Sequence, residues 1–431
     1  MARIDHGVST KEYNTPESAV QSVLEKWNPK LKTEIVSVFE SLDRTLAKDY
    51  FAQYTMPLGP TSALDGIAVK FEDFSDGIPD TSSWELGKDF IMADTGDDVP
   101  DEFDTVIKVE DLDFEDENAT NGTSPFKLNP NTPFSIYKVP SEKGENVRAA
   151  GNDFFEEDLL VKKDRRITPQ RLSCLVAGGI DTVEVYQKPK VAIIPTGNEL
   201  VEHGDTPKRG EKIESNTALL SSYVISHRAE PKCYPIVKDL VKDLEAVLTD
   251  AVESCDIVIL NAGTSKGSED YAPVVLDEMG EITFHWVNHG PGRPSLGAIV
   301  NNTPVLVIPG PPISCDTATH WLLSSVLRYM LPSCHIPTVC VYAKASEEMR
   351  GSKSMSFWQR VKLVKSDKQE DVYWASKLGR RAPESLGAAD GIAIIPKGSV
   401  INPGDSIEVR LLAPEEFVDK VSILSSTRQT I

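Results

Sequence analysis

From Val191 to about Met330 the chain alternates short apolar runs with longer stretches whose apolar residues recur every three to four positions. A run of four to eight apolar residues reads as a buried strand, and the three-to-four repeat reads as one face of a helix. Strands are therefore expected over 191–197 (VAIIPTG), 232–237, 256–263 (DIVILNAG), near 282–287 and over 305–308 (VLVI). Helices are expected over 215–227, capped by Ser215 or Asn216, and over 240–253, 271–279 and 313–329. In the second of these, Val241, Leu244, Val247, Leu248 and Ala251 share one face. The alternation predicts a doubly wound parallel sheet with helices on both sides.

The flanking segments carry other patterns. The first 50 residues read as helical: Thr15-Pro16-Glu17 opens one helix through Ala19, Val20, Val23, Leu24 and Trp27, and a second runs through Ile35, Val36, Val38 and Leu42. From 51 to 144 short alternating runs broken by Gly, Pro, Asn and Asp predict a small β domain, with a polar loop over 111–132. The segment 335–431 returns to short strands and ends in GIAIIPKGSVINPGDSIEVRLL, the closing hairpin of a small barrel.

Charge narrows the function. With 66 acidic against 45 basic residues the net charge is −21, which disfavours binding to a phosphate backbone or an anionic membrane surface. No stretch approaches the roughly 18–20 apolar residues of a membrane helix, and MARIDHGVSTKEYN lacks the apolar core of a secretion signal, so a soluble, cytoplasmic protein is expected. Cys174, Cys233, Cys255, Cys315, Cys334 and Cys340 show no CxxC pair and no zinc-ligand spacing, and read as idle thiols.

In an open α/β sheet, ligands bind at the carboxyl ends of the strands. Three loops fall there: 195–199 after the first strand, 263–270 (GTSKGSED) after DIVILNA, and 309–314 (PGPPIS) opening a helix. Their Gly, Ser and Thr content suits a phosphate cradle. A fourth cluster, His289-Gly290-Pro291-Gly292-Arg293-Pro294, offers one guanidinium, and His289 itself is expected to face solvent. The Walker loop, the GxGxxG fingerprint, the GxSxG elbow and the HExxH helix are all absent, which disfavours common nucleotide and hydrolase chemistry.

These blocks, in this order, resemble the molybdopterin molybdotransferases, the MoeA and gephyrin E-domain family. The family's SAMDGYA stands here as Ser62-Ala63-Leu64-Asp65-Gly66-Ile67-Ala68, and its TGAPLP block begins at Thr95-Gly96. NVRxxGEDI becomes 146–154, with Asp153; STGDEL becomes 195–200, with Thr196, Gly197 and Glu199; and YDTN becomes Ile213-Glu214-Ser215-Asn216. GGVSVGxxDY is echoed by 262–271, with Gly263, Ser265, Lys266, Gly267 and Asp270, and PGNPVS by Pro309-Gly310-Pro311-Pro312-Ile313-Ser314.

The resemblance implies a four-part chain: an elongated arm of 1–50 and 145–188, an inserted β domain over 51–144, the doubly wound domain over 189–334 and a C-terminal β-barrel over 335–431. It implies a homodimer with a shared cleft, and an activity in which molybdate is inserted into adenylylated molybdopterin with Mg²⁺ assistance and release of AMP. Asp65, Asp153, Glu199, Glu214 and Asp270 become candidate holders of the cation, Glu199 and Asp270 also by their place at the sheet edge. Lys266, Arg293 and Arg360 become the balancing cations, with Asp65, Glu199, Asp270, Lys266 and Arg293 as catalytic candidates. Thr95, Thr196, Gly197, Ser215, Asn216, Gly263, Ser265, Gly267, Pro309, Gly310, Ser314, Arg360 and Ser385 are the candidate pterin contacts. A molybdopterin adenylyltransferase and an apo-molybdoenzyme are the implied partners, with no nucleic acid and no membrane.

The family's KPGKP is Gly290-Pro291-Gly292-Arg293-Pro294 here, so its first lysine is missing and the second is arginine; Lys266 could replace the lost ammonium. Three further readings follow: a pterin-binding scaffold that has lost turnover, a tungstate-specific insertase, and an adenylyltransferase on the same doubly wound domain.

Overall fold

In the computed structural model, which describes residues 14–114, 132–262, 271–366 and 372–413, the apolar runs after Val191 assemble one six-stranded sheet. Its order is Glu230–Cys233, Lys190–Pro195, Ile257–Ala262, Thr303–Pro309, Leu296–Val300 and Glu281–His285. The first four strands are parallel, as the alternation predicts. The last two are antiparallel, and Leu296–Val300 was not expected as a strand. It joins Thr303–Pro309 through Asn301 and Asn302, at φ 49° and 62°, the two left-handed positions of a tight hairpin that asparagine tolerates.

Helices Asn216–Ser226, Val241–Ser254, Ala272–Met279 and Pro312–Ala318 flank the sheet. The last continues through a π-helical segment, Thr319–Leu323, into Ser324–Met330. On Val241–Ser254 Leu244, Leu248 and Ala251 of the expected stripe are buried and Val241 and Val247 are partly so; with Val252 they pack on Ala192, Val258, Leu260 and Val305, and Leu248→Ala would cost about 2–5 kcal/mol. The strand expected over 232–237 is shorter, and Val237 instead forms an isolated parallel bridge to Thr196.

Helix Pro16–Leu24 has proline at its start, and the Thr15 hydroxyl accepts from the Ser18 amide at 3.2 Å. It lies against the antiparallel half of the sheet, where a Cβ on Gly297 would stand 2.8 Å from Val23, and Trp27 meets the Tyr329 ring at 5.9 Å.

The C-terminal strands Cys340–Ala345, Ser356–Lys365, Tyr373–Lys377, Gly391–Ile395 and Ser406–Leu411 close into a five-stranded barrel, because Ser356–Lys365 pairs with both Tyr373–Lys377 and Gly391–Ile395. Alanines 343, 345, 375 and 393 line its narrow core with Val361, Ile395 and Val409.

Residues 33–186 form a second compact unit, distinct from 1–32 with 187–431. The helix expected through Ile35 and Val36 is instead strand Thr33–Ser37, paired antiparallel with Thr182–Tyr186, followed by a 3₁₀ turn. The β-branched pair favours a pleated strand, and Ile35 is 73% exposed, so no buried helical stripe forms. One core of this unit gathers Val38, Leu46, Tyr50, Ile167, Leu175 and Val183. Another gathers Ile67, Val69, Phe90, Ile107, Phe134 and Ile136 around Gly66–Val69, Phe90–Ala93 and Thr105–Lys108. Gly66 is required there, since a Cβ would lie 1.9 Å from the Ile107 carbonyl oxygen. Of the loop expected over 111–132, 115–131 lies outside the described residues, while Leu112–Phe114 pairs with Phe134–Ile136.

Candidate functional site

At the carboxyl edge of the parallel strands two buried asparagines act as a clamp. Asn261, at the end of its strand, donates from Nδ2 to the carbonyls of Ile308 (3.0 Å) and Pro309 (3.2 Å). Its backbone carbonyl accepts from the Thr196 amide at 3.0 Å. Asn216, the first residue of its helix, donates from Nδ2 to Asn261 Oδ1 (2.8 Å) and to the Gly310 carbonyl (2.7 Å). Three strand ends and one helix start are thereby fixed together.

The clamp leaves a remainder. Thr196 Oγ1, Asn216 Oδ1 and Thr217 Oγ1 are buried with no hydrogen-bond partner among the described residues. Each such atom carries a desolvation cost that a bound ligand would relieve. Thr196, Asn216, Pro309 and Gly310 were expected at the site from the sequence; Asn261 and Thr217 were not. The signal for Asn261 was a lone amide inside an apolar strand, since a buried amide needs several partners.

The expected acids are dispersed. Glu214 Oε1 accepts from the Thr217 amide at 2.9 Å, completing the helix start that the Ser215 side chain does not cap. Glu199 faces Lys212 at 3.6 Å. In the unit 33–186, Asp65 Oδ1 accepts from both the amide and the hydroxyl of Thr95 at 2.8 Å, which holds its carboxyl below the ordinary aspartate range. Asp153 takes only a long bond, 3.5 Å, from Asn152 Nδ2. Gly263, Ser265, Lys266, Gly267 and Asp270 lie outside the described residues. Among the described residues no three His, Cys, Asp or Glu side chains are grouped as a metal cage requires.

The loop 289–294 reaches helix Pro312–Ala318, which opens after Gly310, from the barrel side. His289–Gly290 pairs parallel with Ser356 and Phe357 of the barrel. Gly292, at φ +98°, abuts the helix start, where a Cβ would lie 3.2 Å from the Ser314 carbonyl oxygen. Arg293 stacks its guanidinium over Trp286, 5.4 Å from the ring centre. His289 does not face solvent as expected: it is fully buried, edge-on to Trp358 (5.0 Å) and Trp321 (6.2 Å). Burial and then the Arg360 charge push its pKa down to about 4, so the ring is neutral, and neither nitrogen has a partner among the described residues.

Arg360, 3% exposed on the barrel strand, is ion-paired through Nη2 with Asp316 and also donates to Thr317 Oγ1 at 3.1 Å. The other Asp316 oxygen accepts from the Tyr223 hydroxyl at 2.9 Å, and that hydroxyl meets His320 Nε2 at 2.7 Å. Burial pushes the Tyr223 phenol up and His320 down to about 4. The charge expected to balance an anion is thus already balanced by Asp316, a residue the sequence reading passed over. Arg360 Nε and Nη1 and Trp321 Nε1 remain without partners among the described residues. Ser385 is buried and its hydroxyl donates to the Arg381 carbonyl at 2.9 Å. No helix among the described residues is long and apolar enough to cross a membrane.

Residues 14–179 match the family model described as the MoeA N-terminal region (domain I and II), and 192–329 match the probable molybdopterin binding domain. The molybdopterin molybdenumtransferase of Bacillus subtilis is 25% identical over 405 residues, covering 89% of this chain and 91% of the relative. A putative molybdopterin biosynthesis protein of Methanocaldococcus jannaschii is 28% identical over 319 residues, 69% of this chain and 76% of its own. The solved structure of a molybdopterin biosynthesis MoeA protein from Pyrococcus horikoshii superposes with a TM-score of 0.73 at 26% identity, over 93% of this chain and 99% of that one.

Proposed function

Because the chain belongs to the MoeA family, we propose that it is a molybdopterin molybdotransferase, a transferase of molybdenum cofactor biosynthesis that inserts molybdate into adenylylated molybdopterin and releases AMP. The observation that carries the reading is the asparagine clamp, which leaves the oxygens of Thr196, Asn216 and Thr217 buried and unpaired at the carboxyl edge. Those oxygens can accept from the N–H groups of a pterin, and the two hydroxyls can also donate to a phosphate. At the barrel junction the unpaired groups are N–H donors of Arg360 and Trp321, suited to an oxyanion.

The residues bind and orient. Asn216 and Asn261 fix the edge, Gly292 brings the 289–294 loop to the helix that follows Gly310, and one water is consumed as the phosphoanhydride is cleaved to AMP and the pterin's own phosphate. Mg²⁺ belongs to this reading as a cation brought with the pyrophosphate, held by one or two carboxylates of Glu199 and Asp270 rather than by a preformed cage; it would neutralise phosphate charge. Lys266 stays in the proposal as a further contact.

A soluble cytoplasmic homodimer is part of the same reading. Ile35, Phe39, Leu58 and Phe155, exposed in the unit 33–186, are candidate positions for the subunit contact. The adenylyltransferase that supplies the pterin and an apo-molybdoenzyme that receives it are the proposed partners.

A second reading, a pterin-binding scaffold without turnover, is favoured by the cations: Gly290 replaces a lysine, Arg293 is stacked on Trp286, and Arg360 is neutralised by Asp316. The deciding experiment supplies adenylylated molybdopterin, molybdate and Mg²⁺ and follows AMP release with reconstitution of a molybdenum-free apoenzyme, tungstate in parallel. Both products establish the transferase and its metal preference. Binding of the pterin without either product gives the scaffold, and AMP consumption gives an adenylyltransferase.

A further inference from the structure

The amino edge of the sheet, opposite the candidate site, carries a feature that this function does not use. The chain repeats one pattern there, Lys30-Leu31-Lys32 and Lys188-Pro189-Lys190. The two tripeptides come side by side because the Gln187 amide donates to the Lys32 carbonyl at 2.9 Å. Together with Ser254, Asp256 and Met330 they line a cavity of about 90 Å³, all within the unit 1–32 and 187–431.

Its charge is unusual for so acidic a chain. Four lysines line the cavity, and none makes an ion pair among the described residues. Against them stand the Asp256 carboxylate, which accepts from the Lys190 amide at 2.8 Å, and the ends of helices Val241–Ser254 and Ser324–Met330. Each helix end contributes about half a negative charge, so the lining itself carries about two net positive charges, on lysines exposed to solvent. The volume is about that of three water molecules. Charge and size together select a compact dianion.

We infer that this cavity binds one tetrahedral oxyanion of charge about −2, either free or as the terminal phosphate of a larger ligand, at a site separate from the carboxyl edge. The lysines supply charge-assisted hydrogen bonds, and the anion relieves the repulsion among them. The inference stands independently of the proposed transferase activity.

Inorganic phosphate titrated calorimetrically into the full chain at low salt tests it. One saturable site is expected, weakened at least about tenfold in Lys30→Ala/Lys188→Ala, the loss of two contacts to a charged group. Lys242→Ala, which removes one positive charge outside the cavity, leaves the affinity unchanged, and so does Thr196→Val at the carboxyl edge. Competition by sulfate and molybdate at similar strength points to a free oxyanion, whereas tighter competition by a nucleoside monophosphate points to a terminal phosphate. Absence of saturable binding, equal loss in Lys242→Ala, or full binding by the double variant overturns the site. Should the double variant fail to fold, Lys30→Met and Lys188→Met singly carry the same test.

Discussion

At the carboxyl edge of the sheet the unpaired buried atoms are oxygens on neutral side chains, whereas at the barrel junction they are nitrogens beside a charge that is already matched. Among the described residues the edge holds Thr196, Asn216 and Thr217 without a buried ion. The junction holds Arg360 and Asp316 as a pair, with Tyr223 and His320 bonded to it. The difference teaches which polar groups await something and which have found it. Acceptors at one place and donors at the other also suit the two chemically distinct ends of one ligand, a pterin and an oxyanion.

The largest blow to this contrast is Asp316→Ala, which strands the Arg360 charge. It should lower unfolding free energy by about 3–5 kcal/mol in denaturant titrations, while Arg360→Met with Asp316→Leu restores most of the loss. A junction tolerating Asp316→Ala would not be charge-matched at all.

Acid separates the regions next. His289 and His320 have folded pKa values near 4, below the unfolded value of about 6.5, so the unfolded state binds more protons between the two. Their stabilisation is complete above about pH 6.5 and is lost as pH falls towards 4, on the order of 3 kcal/mol for His289. Around His320 stand Asp316, Tyr223 and Arg360, and around His289 stand Arg360, Trp321 and Trp358. His289→Phe should flatten the slope of unfolding midpoint against pH; an unchanged slope would place the titration elsewhere.

Removing the clamp is the third test. Asn261→Leu leaves Asn216 Nδ2 one bond short and should cost about 1–3 kcal/mol, with AMP release falling further than stability explains. The smallest effect on stability is the sharpest on function. Thr196→Val removes a hydroxyl with no protein partner, so the unfolding free energy should move by no more than about 0.5 kcal/mol while AMP release drops about tenfold. A large stability change there would mean that the hydroxyl has a structural duty.

The doubly wound half was legible because its strands are uninterrupted apolar runs and its helices carry clean stripes, Leu244 and Leu248 above all. Thr196 and Gly310 could be placed from strand ends alone, and Asn216 through the family resemblance. What escaped depends on tertiary partners: Asn261 looks like part of an apolar strand until its amide is seen to reach two carbonyls of a neighbouring strand. His289 looks like a loop histidine until its backbone pairs with the barrel. Ile35 and Val36 fit either period over so short a stretch, and only pairing with Val183 and Glu184 decides for a strand. The Asn301-Asn302 turn could have been read, since two asparagines between apolar runs are a hairpin signal.

The bond between Gln187 and Lys32 has a consequence for how such a chain can be cut and rejoined. The polypeptide leaves the doubly wound unit after Lys32 and returns at Gln187, and those two residues already touch. Neighbouring antiparallel strands lie about 5 Å apart, a gap that one or two glycines span. Residues 33–186 therefore have the character of a cassette, and a chain running from Lys32 through a two-glycine splice to Gln187 keeps the sheet, the clamp and the barrel in one piece.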